Sequence, residues 1–349
     1  MSGFESIIEQ ERPVKILRAL YRKETIPHAL LFTGQEGVGK HNAAIALAMI
    51  CNCMGRETSP PSHDDAQTQL RSMSIRNDEP CGVCPACRKI LSGNHPDVIR
   101  MGPTGATIKI AQIRTLCETL SMKPYEARMR VVIITDAHAM NPSAGNALLK
   151  MLEEPPDRTI LILTAPQRVD LLPTIVSRCQ LVRFNPITRR TIAAELVEEH
   201  GLEKQSASVL AAVSNGSLSR AKTLVQSDWL RYRSWLIAAS GLAAPERLDT
   251  RDIGQLLAFA ETLSTRKEKV SDSLAALLTW LRDLIVWRYA PERIVNTDLI
   301  DILQNVSEKN PVGSVLNKMD VIRTAQKDIE ANANLRLTLE VMMLRLAAA

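Results

Sequence analysis

No apolar run in this 349-residue chain reaches the roughly 18 residues that a membrane-spanning helix needs. The opening residues, MSGFESIIEQER, are polar and acidic and lack the apolar stretch of a secretory signal, so a cytoplasmic protein with no membrane contact is expected. Strong charge of either sign is also missing. The net charge of +5 is too mild to point by itself to nucleic acid. There is no internal repeat, and strand signals stop after Pro186, beyond which the chain reads as helix and short turn. Without a secretory context, the seven cysteines point to metal or free thiols before disulfides.

What is present describes a globular chain. A hydrophobic content of 45% with 23% charged residues, over this length, supports a buried core and two or three domains. From residue 29 to 184 short apolar runs alternate with helical patterns. ALLFT (29–33), DVIRM (97–101), VVIIT (131–135), TILILT (159–164) and QLVRF (180–184) read as strands. Helices are expected over 40–53, with Ala43, Ala46, Leu47 and Ile50 on the apolar face, over a stretch marked by Ile110, Ile113, Leu116, Cys117 and Leu120, and over 142–152. Continuous apolar strands separated by helices predict a parallel sheet covered on both faces.

Three further segments follow. A small unit over 187–225 ends in NGSLSRA, and the remainder from 226 holds all four tryptophans. It closes on a helical stripe of Leu335, Leu339, Met342, Met343 and Leu346, read as bundle core. Residues 54–80, rich in Ser, Pro, Asp, Gln and Arg, look like a mobile surface insertion of unassigned role.

Two motifs carry chemistry. GQEGVGK (34–40) lies between an expected strand and an expected helix, the context in which backbone N–H groups and a helix N-terminus hold phosphates. Gly34, Gly37 and Gly39 supply backbone freedom, and Lys40 would reach the outer phosphates. The next residue is His41, where magnesium chemistry calls for a serine or threonine hydroxyl, and imidazole is a poor ligand for that hard cation. The second motif is CGVCPAC, which sets Cys81, Cys84 and Cys87 in a CxxCxxC run.

Together with KPYEARMRVVIITDA, NALLKMLEEPP and SRC, these segments resemble the bacterial clamp-loader branch of the AAA+ family. The resemblance is nearest to its delta-prime-type subunits, with the tau/gamma-type motor subunits as near relatives, and is specific over residues 4 to 225. It implies a RecA-like AAA+ domain with a zinc module over about 53–87 (1–186), a helical lid (187–225) and an all-α C-terminal collar used in oligomerisation (226–349). In register with the family, Thr135 takes the place of the magnesium-holding aspartate, Asp136 that of the catalytic glutamate, and Thr164 that of the sensor. Asp136 as a shifted magnesium ligand stays open. In NGSLSRA the lid arginine position falls on Ser219, with Arg220 one place later. Arg178 in SRC matches the arginine that reaches a neighbouring subunit's ATP, and a helix beginning near Ser177 would set it at a domain edge. The family's fourth structural zinc ligand falls on Cys53, with Cys51 as its rival.

The resemblance therefore implies a subunit that keeps an outgoing arginine finger but has lost its own magnesium site. Its partners would be the tau/gamma-type motor subunits, the delta subunit and, through the complex, primed DNA. Binding of ATP or ADP without turnover stays open. An active tau/gamma-type ATPase and a DNA-binding adaptor are the alternatives.

Overall fold

The apolar runs become the strands of one sheet. In the computed structural model, which describes residues 3–55, 78–243 and 253–348, they are β1 (Ala29–Thr33), β2 (Val98–Met101), β3 (Arg130–Ile134), β4 (Thr159–Ala165) and β5 (Gln180–Arg183). All pairings are parallel, in the spatial order β2-β3-β4-β1-β5. Every residue of β1, β3 and β4 is buried, which is why these strands show no polar alternation.

The helices that cover the sheet are α1 (Glu11–Arg22), α2 (Lys40–Asn52), α3 (Pro85–Ser92), α4 (Ile110–Ser121), α5 (Pro142–Glu153) and the single turn α6 (Pro173–Val176). Leu30, Phe32, Val131, Ile133, Ile160 and Ile162 share a core with Leu17 of α1, Leu47 of α2 and Ile90 of α3. The alternate strand residues Leu31, Val132, Ile134, Leu161 and Leu163 face Leu116 of α4, Leu148 of α5 and Ile175 of α6. The expected single apolar face on α2 is too narrow: every residue from Ala43 to Asn52 is buried, because α2 is enclosed in that first core. β3 also starts and stops one residue earlier than read, which leaves Thr135 just past its end.

Two buried polar groups tie the sheet to its surroundings. Arg130 is 3% exposed and donates to the carbonyls of Leu120 at 2.8 Å and of Met122, at the C-terminal end of α4. Asp97, just before β2, accepts the backbone N–H groups of Tyr125, Glu126 and Ala127 at 2.9, 2.8 and 2.8 Å. Burial alone would raise its pKa, but the N–H groups of Glu126, Tyr125 and Ala127 prevail and hold it below the ordinary value.

The chain divides into two compact units, Met1–Thr188 with Gly216–Ser219, and Arg189–Asn215 with Arg220–Ala349. The segment 187–225, read as one lid, is thus shared between them. The second unit is all helix and turn among the described residues: α7 (Arg189–His200), α8 (Lys204–Val213), α9 (Leu218–Gln226, which begins in the first unit), α10 (Trp229–Ala239), α11 (Ile253–Ser264), α12 (Lys267–Tyr289), α13 (Ile300–Lys309), α14 (Val312–Glu330) and α15 (Leu335–Ala348). Within it Trp280 is fully buried and donates its indole N–H to the Leu242 carbonyl at 3.1 Å. Leu339, Met342, Met343 and Leu346 are buried as the stripe predicts, and Leu335 is half-buried. No described helix is long and apolar enough to cross a membrane. The insertion read at 54–80 falls mostly outside the described residues; its far end is anchored by ion pairs of Asp78 with Arg22 and of Glu79 with Arg18.

Asp97→Ala removes the acceptor of three partly buried N–H groups and is expected to cost about 1–3 kcal/mol in urea unfolding. Because the folded-state pKa is depressed, this stabilisation is present above the unfolded carboxylate value and is lost as pH falls through the folded one. The gap between wild type and variant should close in acid; a gap independent of pH would contradict this account of Asp97.

Candidate functional site

β1 delivers the chain to the phosphate-loop sequence, and α2 begins at Lys40. The Gly34 N–H donates to the carbonyls of Ala165 and Pro166 at 3.2 and 3.0 Å, which fastens the loop to the end of β4. Gly37 has φ +76°, and a Cβ there would lie 2.1 Å from Ser217 Oγ and 2.9 Å from Ser219 Cβ. The apex of the loop is therefore packed against the GSLS segment, and no side chain fits at Gly37.

Lys40 turns back on its own loop. Its ammonium donates to the carbonyls of Gln35, at 2.7 Å, and Gly34. Burial lowers its pKa, against the opposing charges of Asp136 and Glu36. His41 is exposed, yet surrounding atoms desolvate its ring and the Arg100 guanidinium opposes its protonation, so its pKa lies below the ordinary value and the imidazole is neutral at pH 7. A neutral ring beside a guanidinium is an unsuitable setting for a divalent cation that seeks oxygen ligands.

At the end of β3 the two candidate residues part. Thr135 donates its hydroxyl to the Met101 carbonyl at 3.1 Å, and its backbone N–H reaches the same oxygen at 2.8 Å, so its side chain is engaged with β2. Asp136 takes a left-handed backbone at φ 50° and donates its N–H to Thr164 Oγ1 at 3.2 Å. The structure thus gathers Lys40, Asp136 and the buried Thr164 around the loop, while Thr135 faces its neighbouring strand. Arg220 lies in the second unit, paired with Asp272 at 2.7 Å.

Arg178 follows Ser177, the residue that caps α6, so the expected helix beginning near Ser177 is corrected: the helical turn ends there, started by Pro173 at its first position. The Arg178 side chain is 37% exposed. Its Nη1 donates to Thr174 O at 3.0 Å and Ser177 Oγ at 3.3 Å, and its Nη2 meets Glu153 Oε1 at 2.8 Å. None of these partners comes from the phosphate loop. Arg100, Glu36, Ser217 and Glu153 all escaped the sequence reading. Glu36, Ser217 and Glu153 lie inside the quoted motifs GQEGVGK, NGSLSRA and NALLKMLEEPP, and Arg100 alone left no signal of this kind.

A second constellation lies at the far end of α2. The Sγ atoms of Cys53, Cys81, Cys84 and Cys87 all lie within 4.8 Å of one another, and Cys51 is outside the group. Tetrahedral Zn–S bonds of about 2.3 Å give S···S edges of about 3.8 Å, so the cluster fits a closed four-thiolate site. Backbone N–H groups of Cys81, Cys84 and Cys87 donate to Cys53, Cys81 and Cys84 Sγ at 3.4, 3.3 and 3.5 Å, interactions that favour thiolates. Burial would raise the Cys84 pKa, but N–H groups of Cys87 and Met54 and the neighbouring thiols bring it down to about 6. Gly55 is required alongside, since a Cβ there would lie 2.9 Å from Cys81 Sγ.

The comparisons with known proteins agree with this architecture. The family described as DNA polymerase III, delta subunit, matches over residues 9–72 and 61–188, and that described as DNA polymerase III, delta subunit, C terminal, over 244–348. The DNA polymerase III delta-prime subunit of Bacillus subtilis is 30% identical over 342 residues, 97% of this chain and 96% of the relative. The chain belongs to the delta-prime family of clamp-loader subunits. With that membership goes the AAA+ fold class, a parallel sheet flanked by helices and followed by a helical C-terminal region. The tau subunit of Bacillus subtilis is 26% identical over 365 residues, covering 98% of this chain but 61% of tau. A solved gamma-subunit-related protein from Thermotoga maritima is 19% identical, with 96% of this chain and 98% of that one covered and a TM-score of 0.45.

The thiol cluster predicts a metal dependence that separates the two rival cysteines. Metal analysis of purified protein should find about one bound ion per chain, abolished by Cys53→Ser and retained in Cys51→Ser. Retention in the first variant and loss in the second would reverse the assignment.

Proposed function

We propose that this chain is the non-hydrolysing subunit of its clamp loader, bracing tau/gamma-type motor subunits and the delta subunit, and offering Arg178 to an ATP bound by a neighbour. Through the complex it would support ATP-dependent loading of the sliding clamp on primed DNA. The observation that carries the reading is the separation of two functions on one fold. An exposed, tethered guanidinium lies away from the phosphate loop, and that loop presents His41 where a hydroxyl is needed and Thr135 where a carboxylate is needed. Family membership supports the assembly, and the arginine-finger chemistry follows from charge: a guanidinium stabilises the negative charge that develops during phosphoryl transfer.

Asp136 is the residue on which an active tau/gamma-type reading depends. Its charge acts on Lys40 and its N–H donates to Thr164 Oγ1, so we read it as a structural partner of the loop. The four-cysteine cluster is best read as structural zinc, since a closed thiolate set leaves no position for water or substrate. The three-part organisation, with a lid over 187–225 and an oligomerising collar over 226–349, belongs to the same reading.

In the assembled loader, Arg178→Ala should lower turnover at the neighbouring ATP site by about 10²- to 10³-fold, with total ATPase falling by that site's share. The variant chain should melt at the wild-type temperature, because an exposed ion pair adds little to stability. Unchanged turnover by the complex would exclude the finger role.

A further inference from the structure

We propose that Glu153 is the positioning residue for the Arg178 guanidinium. The inference rests on the finger reading of Arg178 and adds to it the residue that gives the finger its geometry.

Glu153 is the last residue of α5, and the two residues after Glu154 are Pro155 and Pro156, so the helix cannot continue past this point. A helix C-terminus carries partial negative charge and disfavours an acid in its last turn. The acid here is paired: Glu153 Oε1 lies 2.8 Å from Arg178 Nη2. On the other side of the guanidinium, Nη1 is held by Thr174 O and Ser177 Oγ at 3.0 and 3.3 Å. The two terminal nitrogens are therefore fastened from two different elements, α5 and α6. The planar fork of five N–H donors is fixed in orientation, and these three contacts leave its Nε–H and one Nη2 hydrogen over.

The pair is too exposed, at 37% and 52%, to matter much to the fold. Its value lies in order. An arginine acting across a subunit boundary works only when it arrives in the productive geometry, and a long side chain left alone spreads over many rotamers. Holding it before the neighbour docks moves that ordering cost out of the phosphoryl-transfer step. The carboxylate also partly neutralises the guanidinium in the free chain, so an incoming phosphate meets an oriented donor set already held in place.

The test uses the assembled complex carrying wild-type chain, Arg178→Ala, Glu153→Ala, Glu153→Gln or the Arg178→Ala/Glu153→Ala pair, with melting temperatures of the chains matched. ATP turnover on primed DNA is resolved into kcat and KM. Glu153→Ala is expected to lower kcat at the site facing Arg178 by about ten-fold with KM for ATP unchanged. Glu153→Gln, which keeps a carbonyl acceptor for Nη2, should retain most of the activity. On the Arg178→Ala background Glu153→Ala should have no further effect. Wild-type or raised kcat in Glu153→Ala, or additive losses in the double variant, overturns the positioning role while leaving the finger intact. An Arg178→Ala complex with wild-type kcat overturns the finger reading and this inference with it.

Discussion

The parallel pairing of β1 between β4 and β5 is the constraint on which the rest of the first unit depends. Phe32 is in register with Thr164 and Val182, and Thr33 with Ala165 and Arg183. That alignment brings the end of β1, where the phosphate loop starts, level with Thr164 on one side and with the strand that follows Arg178 on the other. Both faces of β1 are buried, so a slip of one residue would exchange Leu30 and Phe32 with Leu31 between two close-packed cores that are shaped for the other side chains. The geometry of the pocket and the surface position of Arg178 are two results of one strand order.

On that scaffold the loop satisfies its own lysine. Lys40 is desolvated, and it recovers partners from the Gly34 and Gln35 carbonyls and from the charges of Asp136 and Glu36. A partly buried ammonium with no such partners would cost several kcal/mol. Lys40 thus has a structural role in its own loop. The apex at Gly37 is covered by Ser217 and Ser219, so loop and GSLS segment form one packed surface.

Much of this was legible in the sequence, and the failures have physical causes. The central strands β1, β3 and β4 were visible because burial on both faces removes polar residues from them, whereas β2 and β5 at the sheet edges are only partly buried. Cys53, the fourth cysteine implied by the family resemblance, lies just past α2 in one thiol cluster with Cys81, Cys84 and Cys87. Strand ends were off by a residue, and this left Thr135 outside β3, where its hydroxyl finds Met101. The turn before Arg178 was read on the wrong side, since four residues opened by a proline carry no helical period. Arg100, Ser217 and Glu153 act across the fold, on His41, Gly37 and Arg178. Arg100 and His41 are 59 positions apart yet share a charge environment, and no local rule connects them.

The central proposal is that this chain assists another subunit's hydrolysis and performs none itself. The most direct measurement is ATP turnover by the purified chain with and without magnesium, over a range of protein concentrations. The account predicts no magnesium-dependent turnover above background. Turnover that requires magnesium and disappears in Lys40→Ala would contradict it.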